Sequence, residues 1–273
     1  MYRSKFKAPP KTCLLASIAI LAAFTMAGCQ TTRTADTTGS IGSPTTRSEA
    51  DWRRDVDGWG ARYRSDPKNP EAGVNYAQAL RATGQRAQAV AVLEQASIHN
   101  PNNMAVLGAY GRALADIGNF PQALDVLSRA HTPDQPDWRI LSAQGAVLDQ
   151  MGRHDEARRH YMTALKIVPD EPSVMSNLGL SYALSRNLRE AEDTLRRASA
   201  YSNREPRVRQ NLALVVGLQG RFKEAEEIVR ADLSPEEAAA NLDYLKHMLA
   251  QENAGKKSKQ AQRAVRHAAA VDN

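Results

Sequence analysis

Few side chains in this 273-residue sequence have the type and spacing that catalysis or metal binding requires. His154 and His160 are six residues apart, which places them on different faces of a helix, so they do not predict a shared metal. Asp55 and Asp57 precede Gly58 as in a calcium loop, but the remaining spacing and the closing Glu are absent. No phosphate-binding glycine loop, nucleophile elbow or zinc-protease helix occurs. We therefore expect no enzyme activity, no cofactor and no small-molecule substrate.

The distribution of charge argues against nucleic acid as a partner. The chain carries 36 Lys and Arg against 30 Asp and Glu. Residues 1–28 hold four basic and no acidic residues, and residues 254–273 hold five basic residues and one acidic residue. The remaining body has 27 basic and 29 acidic residues, so its charge does not predict a phosphate-binding surface.

The amino terminus has the layout of a secretory signal. Residues 1–11 carry four basic side chains, and residues 12–27 are uncharged and rich in Leu, Ile and Ala. An apolar stretch of ~16 residues is shorter than the roughly 20 that a membrane-spanning helix needs. We expect residues 1–28 to be a signal peptide that is removed.

The end of this segment resembles the lipobox of bacterial lipoproteins. It reads Met26-Ala27-Gly28-Cys29 and is followed by Gln30. The resemblance implies that Cys29 becomes the first mature residue and carries the acyl chains that anchor the protein in a membrane. In that family, Gln rather than Asp after the cysteine implies sorting to the periplasmic face of the outer membrane. The alternatives are an ordinary signal peptide with Cys29 as a bystander, and an uncleaved anchor.

Residues 29–50 are mostly Thr, Ser, Gly, Ala and Pro and have no apolar periodicity. Such a composition cannot build a core, so we expect a flexible tether. A disordered chain of about 20 residues reaches roughly 25 Å. The tether would hold the body of the protein close to its membrane.

The strongest pattern in the sequence is a period of 34 residues. Alanine recurs at this spacing, at Ala89, Ala123, Ala157, Ala191 and Ala225. A tiny residue lies twelve positions before each of them, at Ala77, Gly111, Gly145, Gly179 and Ala213. A large residue lies four positions after each, at Leu93, Leu127, Tyr161, Leu195 and Val229. Glycine marks the turn in four units, and Arg186 stands in its place in the fourth unit. An alanine closes the first four units, and Asp232 replaces it in the fifth.

A unit of this length resembles the tetratricopeptide repeat, a helix-turn-helix hairpin. Tiny residues at facing places let the two helices of a hairpin approach closely, and each unit leaves an apolar face for its neighbour. The predicted fold is all-α, a right-handed superhelical solenoid of about five hairpins within residues 70–237. The units are 70–103, 104–137, 138–171, 172–205 and 206–239, the last merging into a cap.

Both ends of the solenoid need a cap. Trp52, Val56, Trp59 and Tyr63 lie on one face of a helix, predicted over residues 51–66. This stripe favours packing on the first unit, and a ligand platform is the alternative. Ser234 opens a capping box with proline at the first helical position, which predicts a second cap over residues 235–252. Residues 253–273 form a basic tail, either disordered or in contact with anionic headgroups or cell wall.

A stack of helical hairpins offers a concave groove, and the repeat resemblance indicates which places face it. Counting from the first residue of each unit, these include the second, sixth, ninth and twelfth places. The candidate partner-binding residues there are Asn75, Gln78, Arg81, Arg112, Arg139, Asp149, Asn177, Arg207 and Asn211. The asparagine amides suit the backbone of a bound peptide, and arginines suit carboxylates. Against this, Asn at the sixth place is common in the repeat family whether or not a groove is occupied.

The whole layout resembles the TadD-like lipoproteins of the tight-adherence (Flp) pilus assembly system. The particular features are the Trp52, Trp59 and Tyr63 helix directly before Pro67-Lys68-Asn69-Pro70, and the order of signal, tether and repeats. The resemblance implies a pilotin-like scaffold that helps a pilus secretin reach or assemble in the outer membrane. The alternatives are a scaffold lipoprotein for cell-wall hydrolases or outer-membrane protein assembly, and a type IV pilus pilotin.

Overall fold

The computed structural model of the chain describes residues 47–201 and 205–251. The expected signal peptide, Cys29, most of the tether and the basic tail lie outside these residues. The described part belongs to one compact unit, Arg47–Asn273, and consists of helices without strands. The helices are α1 (Glu49–Ser65), α2 (Pro70–Ala82), α3 (Arg86–His99), α4 (Met104–Asp116), α5 (Phe120–Ser128), α6 (Trp138–Gln150), α7 (His154–Ile167), α8 (Pro172–Leu184), α9 (Leu188–Tyr201), α10 (Pro206–Leu218), α11 (Phe222–Val229) and α12 (235–251).

These helices form five successive hairpins between two capping helices. The first helix of each hairpin begins 34 residues after the previous one, at Pro70, Met104, Trp138, Pro172 and Pro206. Several starts are fixed by side-chain caps, since Asn69 accepts a hydrogen bond from Ala72 N and Asn103 accepts one from Val106 N. The predicted all-α repeat solenoid with a cap at each end is therefore confirmed.

The turn inside each hairpin requires a left-handed backbone. Gly84, Gly118, Gly152 and Gly220 have φ values of +79°, +80°, +75° and +83°. Arg186 adopts the same conformation at φ +64°, so the departure from glycine leaves the turn intact at the cost of backbone strain.

Close helix contact explains the tiny residues of the repeat. A Cβ added to Gly145 would lie 2.6 Å from Cε1 of Tyr161, and one added to Gly179 would lie 2.6 Å from Cγ of Leu195. Such distances are too short for any side chain, so only glycine allows the large residue of the second helix to fill this space. Ala157 is fully buried in the same layer.

The two capping helices cover the ends of the apolar core. Trp59 and Tyr63 of α1 pack on the first hairpin, and the ring centroids of Tyr63 and Tyr76 are 5.7 Å apart. This contact supports the capping interpretation of the aromatic stripe. The helix begins at Glu49, two residues before the predicted start, because Ser48 and Asp51 form a capping box.

At the other end, α12 buries three apolar side chains, Ala238, Leu242 and Leu245. Ser234 N donates to Glu237 Oε2 at 3.0 Å, and Glu237 N donates to Ser234 Oγ at 3.2 Å. The predicted capping box therefore opens this helix.

An ion network joins the fourth and fifth hairpins. Nearly buried Glu192 accepts hydrogen bonds from Gln219 Nε2 at 2.7 Å, Arg196 Nη2 at 2.6 Å and Arg221 Nη1 at 2.8 Å. Burial raises the pKa of this carboxyl, but hydrogen bonds from the three donors outweigh burial and lower it to about 2. The network therefore favours the charged form of Glu192 in the folded state.

The first prediction tests how closely the two helices of a hairpin pack. Ala157→Leu should lower the free energy of unfolding by roughly 1 to 3 kcal/mol, because the added carbons overpack a buried layer. Thermal and urea melts measure the loss. Ala146→Leu is the matched control, since Ala146 is exposed on α6 and should tolerate the same substitution. Equal stability of the Ala157 variant and the wild type would contradict the described packing.

The second prediction concerns pH. Because the pKa of Glu192 is lower in the folded chain, its contribution is present above about pH 4.5 and is lost as pH falls toward 2. Glu192→Gln should therefore destabilise the chain at pH 7 by at most about 3 kcal/mol, and by progressively less below pH 4. Urea unfolding at several pH values tests this, with exposed Glu190→Gln as control. A difference that stays constant from pH 7 to pH 3 would refute the assignment.

Candidate functional site

The concave face of the solenoid is the layer formed by the first helices of the hairpins. Among the described helices, α2 contacts α4, α4 contacts α6, α6 contacts α8 and α8 contacts α10. The second helices make no such contacts with one another in this part of the chain. In a curved stack the more closely spaced layer lies on the inside, so the first helices line the groove.

Two adjoining cavities open in this groove between α2 and α4. One has a volume of about 180 Å³ and is lined by Val74, Gln78, Arg81, Leu93, Ala109 and Arg112. The other has a volume of about 330 Å³ and is lined by Pro70, Glu71, Val74, Asn75, Asn103 and Ala105. Both cavities are lined by Val74, so they adjoin at this side chain.

Four of the predicted partner-binding residues therefore meet at these cavities, namely Asn75, Gln78, Arg81 and Arg112. The guanidinium of Arg81 donates from Nε to Asp116 Oδ2 at 2.5 Å, which ties α2 to α4. Burial lowers the pKa of the half-buried Arg112, as does the positive charge of Arg81. An arginine remains protonated despite such a shift, so the cavity holds a partly desolvated positive charge.

Two of the three asparagines at the sixth place have a second role that the repeat pattern did not reveal. Asn177 Nδ2 donates to Ser142 Oγ at 3.1 Å, and Asn211 Nδ2 donates to Ser176 Oγ at 2.9 Å. Each bond joins one first helix to the preceding one. The 35-residue separation of each pair, one period plus one residue, was the signal available in the sequence.

Asp149 lies inside the protein and is not available to a partner. Asp149 is only 7% exposed, and its carboxylate accepts hydrogen bonds from Tyr161 Oη at 3.0 Å and Ser181 Oγ at 2.8 Å. It also hydrogen-bonds His154 Nδ1 at 2.8 Å. The interpretation of Asp149 as a groove residue is corrected accordingly, because these three partners hold it between the third and fourth hairpins. Burial raises the pKa of Tyr161, and the charge of Asp149 raises it further.

The remaining two candidates are exposed arginines at the second place. The Cζ atom of Arg139 lies 4.3 Å from the ring centroid of Trp138, a cation–π contact. Arg207 is exposed near the start of α10. They lie two hairpins apart, so the structure does not bring them into one site.

Other candidate chemistry is accounted for within the described residues. No group of three or more His, Cys, Asp or Glu side chains there has the geometry of a metal site. His154 is engaged with Asp149, and burial lowers the pKa of His160. None of the described helices is both long and apolar enough to cross a membrane.

The chain is similar to known repeat proteins. Two models of the tetratricopeptide repeat match it, at residues 80–145 and 139–204. Among solved structures, PilW, described as a widely conserved type IV pilus biogenesis factor, is 17% identical with a TM-score of 0.60. The similarity covers 67% of this chain and 86% of PilW. No curated protein matches the sequence.

A tetratricopeptide protein of Thermus thermophilus, TTC0263, is 19% identical with a TM-score of 0.56, over 61% of this chain and 91% of that one. A structure of the Cut9–Hcn1 complex of APC/C is 18% identical with a TM-score of 0.57, over 71% of this chain and 40% of that one. At these identities the likenesses establish the fold alone. Residues 80–204 therefore carry tetratricopeptide repeats, and the described part of the chain has the fold of a tetratricopeptide-repeat solenoid.

Proposed function

We propose that this protein is a lipid-anchored scaffold that holds a component of a Flp (tight-adherence) pilus apparatus, most directly its secretin, at the outer membrane. The observation that carries the binding role is the groove between α2 and α4, where two adjoining cavities bring together four candidate partner-binding residues. In the proposed mechanism the groove captures a segment of the partner, and the lipid determines where this happens.

The groove suits an extended or helical segment of a protein. Its two cavities run along neighbouring first helices and combine apolar side chains with amides and guanidinium groups. Apolar contact supplies binding energy, and the polar groups fix the register of a bound segment. A rigid concave surface also binds without the entropic cost of ordering a loop.

The lipid anchor is supported by the sequence Met26-Ala27-Gly28-Cys29. Acyl chains on Cys29 would provide more than the two signals that stable membrane anchoring requires. Gln30 favours the outer membrane as the destination, and the tether would keep the groove near it.

The pilus assignment rests on the layout of signal, tether, aromatic capping helix and repeats. The likeness to PilW agrees with it, because that protein has the same fold and is a type IV pilus biogenesis factor. The same likeness favours a type IV pilus pilotin as the second candidate function. Genes for a secretin, a secretion ATPase and a small pilin beside this one would favour the first candidate.

The third prediction tests the anchor. Cys29→Ser should abolish incorporation of a clickable palmitate analogue and release the protein from the outer-membrane fraction, because residue 29 then has no thiol for the lipid. Cys13→Ser is the control, since Cys13 lies within the expected signal peptide and should be dispensable for labelling. Full labelling and membrane retention of the Cys29 variant would disprove lipidation at this residue.

The fourth prediction tests the groove. Combining Asn75→Ala, Asn177→Ala and Asn211→Ala should weaken partner capture roughly 100-fold, if each amide contributes ~1 kcal/mol to binding. In-cell crosslinking to the secretin, with pilus assembly as the second readout, measures the effect.

The control separates binding from packing. Ser142→Ala with Ser176→Ala removes the same bonds between first helices and leaves the asparagines in place. This double variant should keep its partner. If the triple variant retains helical content, normal crosslinking and normal pilus assembly, then the partner binds elsewhere, on the convex face, a cap or the tail.

A further inference from the structure

Arg112 is a charged side chain in the groove that has no hydrogen-bonded or ion-paired partner within the described part of the protein. It lies on α4, half-buried, and lines the cavity of about 180 Å³. It forms no hydrogen bond or ion pair with any residue in 47–201 or 205–251. A guanidinium that is partly removed from water loses hydration, and nothing in the described chain replaces it.

The acidic side chains around Arg112 are already engaged. Asp116 pairs with Arg81 at 2.5 Å, and Asp137 caps α6 by accepting from Arg139 N at 2.7 Å. Both carboxylates act on Arg112 only at longer range. The charges of Arg81 and Arg139 add to the positive potential at the same place.

The room for a ligand group beside this guanidinium is the cavity that Arg112 lines. The space over Gly108, one helical turn before Arg112, is already filled: a Cβ added there would lie 2.6 Å from Cδ1 of Ile140 and 3.5 Å from Nη1 of Arg112. Val74, Leu93 and Ala109 supply apolar walls to the cavity.

We propose that this cavity recognises the side-chain carboxylate of an acidic residue in an extended segment of the partner protein, with Arg112 as its binding residue. This inference rests on the proposed function of the groove and names the chemistry that the groove selects. A planar guanidinium can hold a carboxylate through two parallel hydrogen bonds, and a partly desolvated site strengthens each of them.

A peptide fits the surroundings better than a polyanion does. The adjoining cavity of about 330 Å³ continues from Val74 to Asn75 and offers an amide to a peptide backbone. The body of the protein, with 27 basic and 29 acidic residues outside its termini, lacks the broad positive field that attracts nucleic acid. One carboxylate on a largely neutral segment is the matching ligand.

Two pools of synthetic peptides test the inference. Each pool contains acetylated and amidated ten-residue peptides randomised over neutral amino acids, with Glu at the fifth position in one pool and Gln in the other. An equimolar mixture is passed over immobilised full-length chain in detergent, and retained peptides are quantified by mass spectrometry. The Glu pool should be enriched about tenfold or more over the Gln pool, which corresponds to ~1.4 kcal/mol. The enrichment should decrease at high salt.

Variants assign the preference to one residue. Arg112→Gln should bring the Glu-to-Gln ratio to about one, and Arg112→Lys, which keeps the charge, should retain part of the preference. Arg189→Gln is the matched control, because it removes an exposed arginine of α9, which lies outside the layer of first helices. Circular dichroism verifies that each variant is folded. If a variant does not fold, the Glu-to-Gln ratio of the wild type still tests carboxylate recognition.

The outcomes separate this inference from the function on which it rests. Equal retention of both pools by the wild type, or a preference that persists in Arg112→Gln, would overturn carboxylate recognition and leave groove binding intact. Failure to retain either pool would also overturn it. The pilus function is judged separately, by crosslinking in cells.

Discussion

The approach of two helices over a missing side chain is the contact on which the solenoid depends. In the third hairpin the ring of Tyr161 occupies the place where a Cβ of Gly145 would stand, 2.6 Å away. Tyr161 is almost completely buried there, and its hydroxyl still reaches Asp149. Close packing of the hairpin thus sets the distance between its helices, and that distance determines how much of each apolar face remains for the next unit. Repetition of this geometry every 34 residues produces the regular stack.

The polar bonds between hairpins differ from one junction to the next. The first two hairpins are joined by the Arg81 and Asp116 pair, the third and fourth by Asp149, and the fourth and fifth by Glu192. Apolar contacts supply most of the stabilisation, but they tolerate sliding of one helix along another. A buried carboxylate with several fixed donors does not tolerate such sliding, because any shift leaves a charge without its hydrogen bonds. These bonds therefore fix the register of units whose apolar faces are similar.

The sequence pattern predicted the hairpins well because a repeat period is a direct consequence of helix geometry and turn chemistry. It predicted the groove less well, because the pattern specifies which places face inward on average and not which side chains find a partner. Asp149 occupies a groove place, yet Tyr161 and Ser181 hold it inside. Asp232 departs from the repeat, and the structure explains it through an ion pair with Arg209. Such pairings depend on three-dimensional distances that periodicity does not contain.

The groove is consequently not uniform along its length. In the later hairpins, side chains at groove places bond to the neighbouring first helix, as Asn177 does to Ser142 and Asn211 does to Ser176. Between the first two hairpins the equivalent surface is occupied by cavities, one of them lined by Arg112. The cavities therefore lie at the end of the solenoid next to α1, where no side-chain bond of this kind between described residues fills the groove.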